Sequence, residues 1–320
     1  MQRRECIRLI GGVAAWPILA WAQQAKVYRI GVLLLGNADA DSFLAEMREG
    51  LSNSGYVEKQ NLLFELRSAE GKIDLLPGIA AELVALKVDV IVALLTPCAL
   101  AAQKATRVIP IVVVSGDPLG TGLVTSLARP GANITGISLM GAEMHGKCVE
   151  LFRDILPSLR RVGVLLNATD PFSKQVLEQV QLAGRTTGTE IAPPAMVRGV
   201  DEVDAVFAAM KKDAIGAVVV QGSITTKTVA ELALKHGLPT GTQTRSFAEV
   251  GGLFSYGADG PQVFRQSARF VSKILQGGKP SDMPIEQPTK FELVVNLRTA
   301  KALGISAPES FLLRADQVIE

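Results

Sequence analysis

The apolar, β-branched runs of this sequence end in short polar segments. These are Gly36-Asn37, Thr96-Pro97, Ser115-Gly116-Asp117, Asn167-Ala168-Thr169-Asp170, Gln221-Gly222-Ser223 and Thr242-Gln243-Thr244. Their side chains are hydroxyls, amides and carboxylates, with no lysine, arginine, cysteine or histidine among them. Such a set orients a small polar or zwitterionic solute through hydrogen bonds. Each residue taken singly also fits an ordinary helix cap or turn. Asp117 and Asp170 suit acid–base work if they meet across a cleft, and charged ligand contacts or solvated caps otherwise.

Other chemistries find less support. The loop "GDPLGTG" (116–122) follows an apolar run as a phosphate cradle does, yet it has no lysine, and Asp117 stands where phosphate would be repelled. The first run ends in "LLLGNADADS" (33–42), with one glycine, where a dinucleotide fingerprint needs three. No G-x-S-x-G elbow is present. His145 enters a helix in "GAEMHGKC", and His236 closes one in "ALKHGLP", where a basic residue suits the helix dipole. The cysteines are Cys6, Cys98 and Cys148, without C-x-x-C or paired-histidine spacing, so no structural zinc site and no cofactor are expected.

The elements that position these residues repeat. "YRIGVLLLG" (28–36) reads as a strand buried on both faces, and 40–54 has helical periodicity through Phe43, Leu44, Met47 and Leu51. Strands follow at 62–68, 88–95 and 109–115, with helices over 74–86 and from Pro97. The second half echoes the first: "RRVGVLLNATD" (160–170) matches "YRIGVLLLGNAD" (28–39), and "AIGAVVVQGS" (214–223) matches "KVDVIVALLT" (87–96). "GLPTGTQTRS" (237–246) stands where "VIPIVVVSGD" (108–117) stood. Alternating strands and helices imply an α/β chain of two doubly wound parallel-sheet lobes. Ligands bind such sheets at the carboxyl ends of their strands, so two facing lobes enclose a cleft.

The 320 residues are 48% hydrophobic and 20% charged, as in a folded, core-rich protein. Lys+Arg total 33 against Asp+Glu 31, which leaves no basic field for nucleic acid. Residues 1–22 read as an export signal: Arg3, Arg4 and Arg8, then an apolar middle, then Ala20-Trp21-Ala22 as a cleavage site. Arg3-Arg4 resembles a twin-arginine signal, and general secretion stays open. Cleavage removes three arginines and one glutamate, so the chain from Gln23 has no net charge. After export to the periplasm a Cys98–Cys148 bridge is possible, but their places on two different helices favour free, buried thiols.

"GDPLGTGLVTSLARPGANITGIS" (116–138) closely resembles a motif of the periplasmic substrate-binding proteins of ABC importers. "PIEQPTKFELVVNLRTAKALGI" (284–305) and "FLLRADQVIE" (311–320) are similar to the same family, so the likeness runs nearly end to end. The resemblance implies a type I periplasmic-binding-protein fold whose lobes close about a hinge. It implies lobe 1 over 27–140 plus 258–284, and lobe 2 over 141–257 plus 285–320. It also implies a non-enzymatic, monomeric receptor that takes a small organic solute, such as an amino acid or an aromatic or carboxylic acid, to an ABC permease in the inner membrane. The resemblance implies Asp117, Asn167, Asp170, Phe172, Gln221 and Ser223 as ligand residues, and the strand ends add Asn37, Thr96, Ser115 and Thr242. Tyr256, in the hinge stretch "FSYGAD" (254–259), either reaches the cleft or packs as a strand aromatic. "NATDPFSK" (167–174) departs from the Asn/Ser/Glu-rich version common in relatives that bind amino acids. A ligand sensor for a membrane signalling partner and an enzyme on a doubly wound fold are the alternatives.

Overall fold

The computed structural model describes residues 26–36 and 40–320. The expected export signal over 1–22 and the candidate Asn37 lie outside the described residues.

From Tyr28 the chain alternates strands and helices: β1 (Tyr28–Leu34), α1 (Ala40–Ser52), β2 (Leu62–Ser68), α2 (Leu76–Ala85), β3 (Val90–Leu94), α3 (Thr96–Ala105), β4 (Ile111–Ser115) and β5 (Ile134–Ser138). Every residue of β3 and β4 is buried, because helices cover both faces of a parallel sheet and favour uninterrupted β-branched runs. A second unit follows: α4 (Gly141–Ile155), β6 (Arg161–Asn167), α5 (Ser173–Thr187), β7 (Glu190–Ile191), β8 (Ala195–Val197), α6 (Val203–Lys212), β9 (Ala217–Val220), α7 (Lys227–Lys235), β10 (Thr240–Thr242), α8 (Arg245–Glu249) and β11 (Phe254–Ala258). The chain closes with α9 (Gly260–Leu275), β12 (Ile285–Glu286), β13 (Phe291–Asn296), α10 (Leu297–Ala302), α11 (Glu309–Leu312) and β14 (Gln317–Ile319).

The first sheet runs β12-β5-β4-β3-β1-β2, all parallel. The second runs β14-β13-β11-β10-β9-β6-β7, with β8 also on β6 and only β11 and β13 antiparallel. Stripped of the late strands, the two sheets share one order, β2-β1-β3-β4-β5 and β7-β6-β9-β10-β11. The echo between the halves of the sequence is therefore a duplication of the doubly wound unit. The stretch expected as a strand over 237–246 is only three residues long as β10. Gly241 lies at its middle, where a β-carbon would come within 2.6 Å of the Phe254 ring.

Each sheet carries an apolar layer on both faces. In lobe 1 these are built around Phe43, Phe264 and Phe270 on one side and Leu83, Cys98 and Leu123 on the other. In lobe 2 they are built around Phe152, Phe254 and Phe311, and around Phe207 and Phe247. The chain passes between the sheets three times: between β5 and α4, at Asp259 between β11 and α9, and over 287–290 between β12 and β13. The second passage brings α9 onto the first lobe, where the Phe264 ring meets Phe43 edge-on at 5.2 Å. Asp259 caps α9 by accepting the Gln262 amide at 3.1 Å, and its other oxygen pairs with Lys290 at 3.1 Å. Two of the three passages are thereby tied together.

Candidate ligand cleft

The carboxyl ends of the strands of both lobes face one another, and local sequence decides how each end turns. In lobe 1, β3 passes into α3 through Leu95, which has φ 71° and ψ 156°. That region is essentially reserved for glycine, and a leucine there stores on the order of 1–3 kcal/mol. The turn holds because the Leu95 amide donates to the Val114 carbonyl at 2.8 Å. It sets Thr96 against the end of β4, where the Thr96 and Ser115 hydroxyls bond at 2.9 Å. Beyond Ser115 comes Gly116, whose absent β-carbon leaves room for the Phe172 ring of lobe 2. Asp117 is occupied within its own loop, accepting the Gly120 amide at 2.8 Å. The same loop touches lobe 2 through Gln175, whose Nε2 donates to the Gly120 carbonyl at 2.7 Å.

In lobe 2 the strand-end residues form one buried network. Gln221 Oε1 accepts from the Asn167 amide and the Ser173 hydroxyl, each at 2.8 Å, which leaves Nε2 to donate to Asp170 at 2.8 Å. The other Asp170 oxygen accepts the Phe172 amide at 2.9 Å. Asp170 is 5% exposed, and among the described residues no cation pairs with it. Burial pushes its pKa up, opposed by the Phe172 amide and the neighbouring Ser223 hydroxyl. Its charge is felt in lobe 1, at the Cys98 thiol in the first turn of α3. Burial pushes both the Cys98 and Cys148 thiols upward, and both cysteines are free and buried.

Two neighbouring spaces lie between the lobes. One has a volume of about 400 Å³, within the ordinary range of ligand sites. Leu94, Leu95, Val114 and Leu139 of lobe 1, with Val263 and Phe264 of α9, form its apolar wall. Gln243, Thr244, Arg245, Ser246 and Glu249 form the polar wall opposite. The other space, of about 10 Å³, shares Leu95 and Gln243 with the first and is bounded by Thr96, Gly116, Asp170, Phe172 and Ser223. It has room for one water-sized group.

The structure thus gathers Thr96, Asp170, Phe172 and Ser223 around one small space. Ser115, Asn167 and Gln221 stand behind them as hydrogen-bonding support, and Asp117 braces the lip. Thr242 is fully buried with an unpartnered hydroxyl and lines neither space. Tyr256 is elsewhere: its ring stacks on Phe291 at 6.2 Å and borders a separate groove with Met144, Lys147 and Leu182. His145 and His236 border neither space. His145 bonds to the Gly141 carbonyl at 2.5 Å, and burial lowers its pKa to about 4. His236 bonds to Asp204 at 2.6 Å.

The strand ends alone do not reveal Ser42, Glu249 and Phe264, which lie on helices. Their one sequence signal is that Glu249 follows Arg245 by one helical turn. The pair is formed, with Arg245 Nε 2.9 Å from Glu249, while Nη1 reaches Glu292 at 2.9 Å and Nη2 bonds to Gln317. Among the described residues no cluster of histidine, cysteine and carboxylate side chains is arranged to hold a metal, and no helix is long and apolar enough to cross a membrane.

This two-lobed frame matches, over residues 30–319, the family described as ABC transporter substrate binding protein. The chain belongs to that family. An ABC substrate-binding protein of this kind is similar to the tyrosine-binding protein of Clostridioides difficile, with 25% identity over 84% of this chain and 79% of that one. Among solved structures it resembles an ABC domain from Streptococcus pneumonia in complex with L-Trp, at 27% identity and TM-score 0.84, covering 92% of this chain and all of the other. A conserved domain protein from Vibrio cholerae aligns as well, at 29% identity and TM-score 0.85 over the same shares. Substrate-binding proteins of this family hold a solute.

Proposed function

We propose that this protein is an exported receptor that captures a small organic solute between its lobes and delivers it to an ABC permease in the inner membrane. The observation that carries this reading is the 400 Å³ space with one apolar wall and one polar wall, each from a different lobe or its returning helix. Such a space is completed only when the lobes approach, so a solute that touches both walls favours the closed form by its differential affinity. The passages at 139–140, 259 and 287–290 serve as the hinge. An amino acid or an aromatic or carboxylic acid is the solute class, in keeping with the tyrosine and L-Trp named for its relatives. The working unit is a monomer, and binding involves no covalent chemistry.

Thermal unfolding against a panel of amino acids, aromatic acids, aromatic amines, short carboxylates and sugars tests this. A true ligand at about 100 times Kd adds roughly 2.7 kcal/mol to stability. An upward shift of Tm with one chemical class, without consumption of the compound, is expected. A panel without any shift, or turnover of a compound that does shift Tm, overturns the reading.

A further inference from the structure

Extending the receptor reading, on which it rests, we infer that the loop over 116–122 and Gln175 form a latch that draws the lobes together with or without a solute. Gln175 then sets how long any solute is held without helping to choose it. The contact carries this inference, because it joins the two lobes away from the solute. Gln175 Nε2, on α5 of lobe 2, donates to the Gly120 carbonyl of lobe 1 at 2.7 Å. Gly120 and Gln175 border neither space between the lobes. A second contact lies one turn away, where the Phe172 ring occupies the place of the missing Gly116 β-carbon. Glycines four apart in the loop thus meet side chains three apart at the start of α5, a spacing that puts both on one helix face.

The loop half of the latch is built inside lobe 1. Asp117 Oδ1 accepts the Gly120 amide at 2.8 Å, and the Asp117 carbonyl accepts the Thr121 hydroxyl at 2.6 Å and the Thr121 amide at 3.1 Å. The Val124 amide closes the loop onto the Pro118 carbonyl at 3.0 Å. The Gly120 carbonyl is therefore presented before Gln175 arrives, and little ordering remains to oppose the contact. A β-carbon on Gly120 would strike the Asp117 carboxylate and lie 3.2 Å from Gln175 Cγ, so glycine is what lets the loop fold on itself and α5 come close. The strength of the latch is bounded too. A carbonyl only accepts, so Gly120 fixes Gln175 with Nε2 toward the loop. Oε1 is left buried without a partner among the described residues, a cost that offsets part of the bond. The latch adds to the hold of a solute, and it lets the lobes part again. Gln175 is accordingly a positioning residue.

A measurement without solute tests the latch directly. Lys174 is exposed beside Gln175, so Lys174→Cys takes a spin label while Cys98 and Cys148, both buried, stay unlabelled. Paramagnetic broadening of the amide signals of residues 119–122 then reports how often the loop sits on α5, even where that state is a minor one. The labelled parent is expected to show the broadening. Gln175→Met is expected to reduce it about fivefold, the worth of one neutral hydrogen bond, with Tm unchanged. Asp117→Ala, which frees the loop, is expected to reduce it as well. Stopped-flow dissociation of the panel compounds that raise Tm, with L-tyrosine and L-tryptophan tried first, supplies the second arm. Gln175→Met is expected to release each of them about fivefold faster, with association unchanged. No broadening in the labelled parent, equal broadening in Gln175→Met, unchanged dissociation, or a loss that differs from solute to solute overturns the inference. If no compound of the panel binds, the receptor reading falls, and the broadening measured without solute still decides the latch.

Discussion

A β-carbon placed on Gly116 would lie 2.6 Å from the ring of Phe172, so the end of β4 in lobe 1 rests directly on the start of α5 in lobe 2. The ring has little room to withdraw, since it is buried and packs edge-on against His145 at 6.3 Å. Gly116→Ala is therefore expected to leave each lobe folded while holding the lobes apart. Ligand affinity should fall by about tenfold, a change of about 1.4 kcal/mol, with Tm of the ligand-free protein within about 2 °C of the parent. Solution scattering should show that saturating ligand no longer compacts the variant; full compaction would contradict the contact's role.

His145 makes acid stability a second test. Its pKa is lowered from 6.5 to about 4 by burial, so the unfolded chain binds the proton more readily than the folded one. The stability that neutral His145 allows is complete above about pH 6.5 and is lost progressively as pH falls toward 4, at about 1.4 kcal/mol per unit. Denaturant unfolding of the parent and of His145→Gln across this window should give a difference that shrinks steadily as the pH drops. A constant difference would show that the imidazole is not buried in its neutral form.

Arg245 joins α8 to β13 and β14 through Glu292 and Gln317. Glu292 is 7% exposed, and one of its oxygens is buried without a partner. Arg245→Met leaves that carboxylate uncompensated, with an expected loss of about 2 kcal/mol, below the full buried-pair value because the Arg245 side chain is about a third exposed. The double variant Arg245→Met with Glu292→Met should regain most of the loss. Additive losses in the double-mutant cycle would refute the coupling.

Asp259 and Lys290 should differ in consequence although they form one ion pair. Lys290→Met removes only an exposed partner and should leave Tm nearly unchanged. Asp259→Ala also removes the cap of α9, at a further cost of about 1 kcal/mol. Equal Tm losses would show that the cap contributes nothing.

The duplicated fold was legible because parallel strands buried on both faces must be written as long β-branched runs, as in 90–94 and 111–115. Thr96, Asp170 and Ser223 were legible as polar residues just past such runs. The sequence could not distinguish a strand-end amide aimed at the cleft from one aimed into its own lobe. Asn167 and Gln221 are of the second kind, because Gln221 bridges the β6 turn and α5. Tyr256 lies in β11, and its ring stacks on Phe291 of the antiparallel neighbour β13. Phe264 was invisible as a cleft residue for a longer-range reason. It lies on α9, and only the return of α9 from the second sheet to the first sets its ring beside the ends of β3 and β4.

The hydrogen-bond network around Asp170 has a kinetic meaning. Phe172 and Gln221, which donate to the carboxylate, and Asn167 and Ser173, which donate to Gln221, all belong to the same lobe as Asp170. For the receptor proposed above, lobe 2 would therefore keep these groups in working order while the cleft stands open, and would offer an arriving solute a finished landing site. Lobe 1 would contribute mainly an oily wall and arrive afterwards as a cover. Such a division of labour would let capture proceed at the speed of diffusion onto one surface and leave the lifetime of the bound state to the cover, so that a permease pulling lobe 1 away would free the solute without first dismantling its seat.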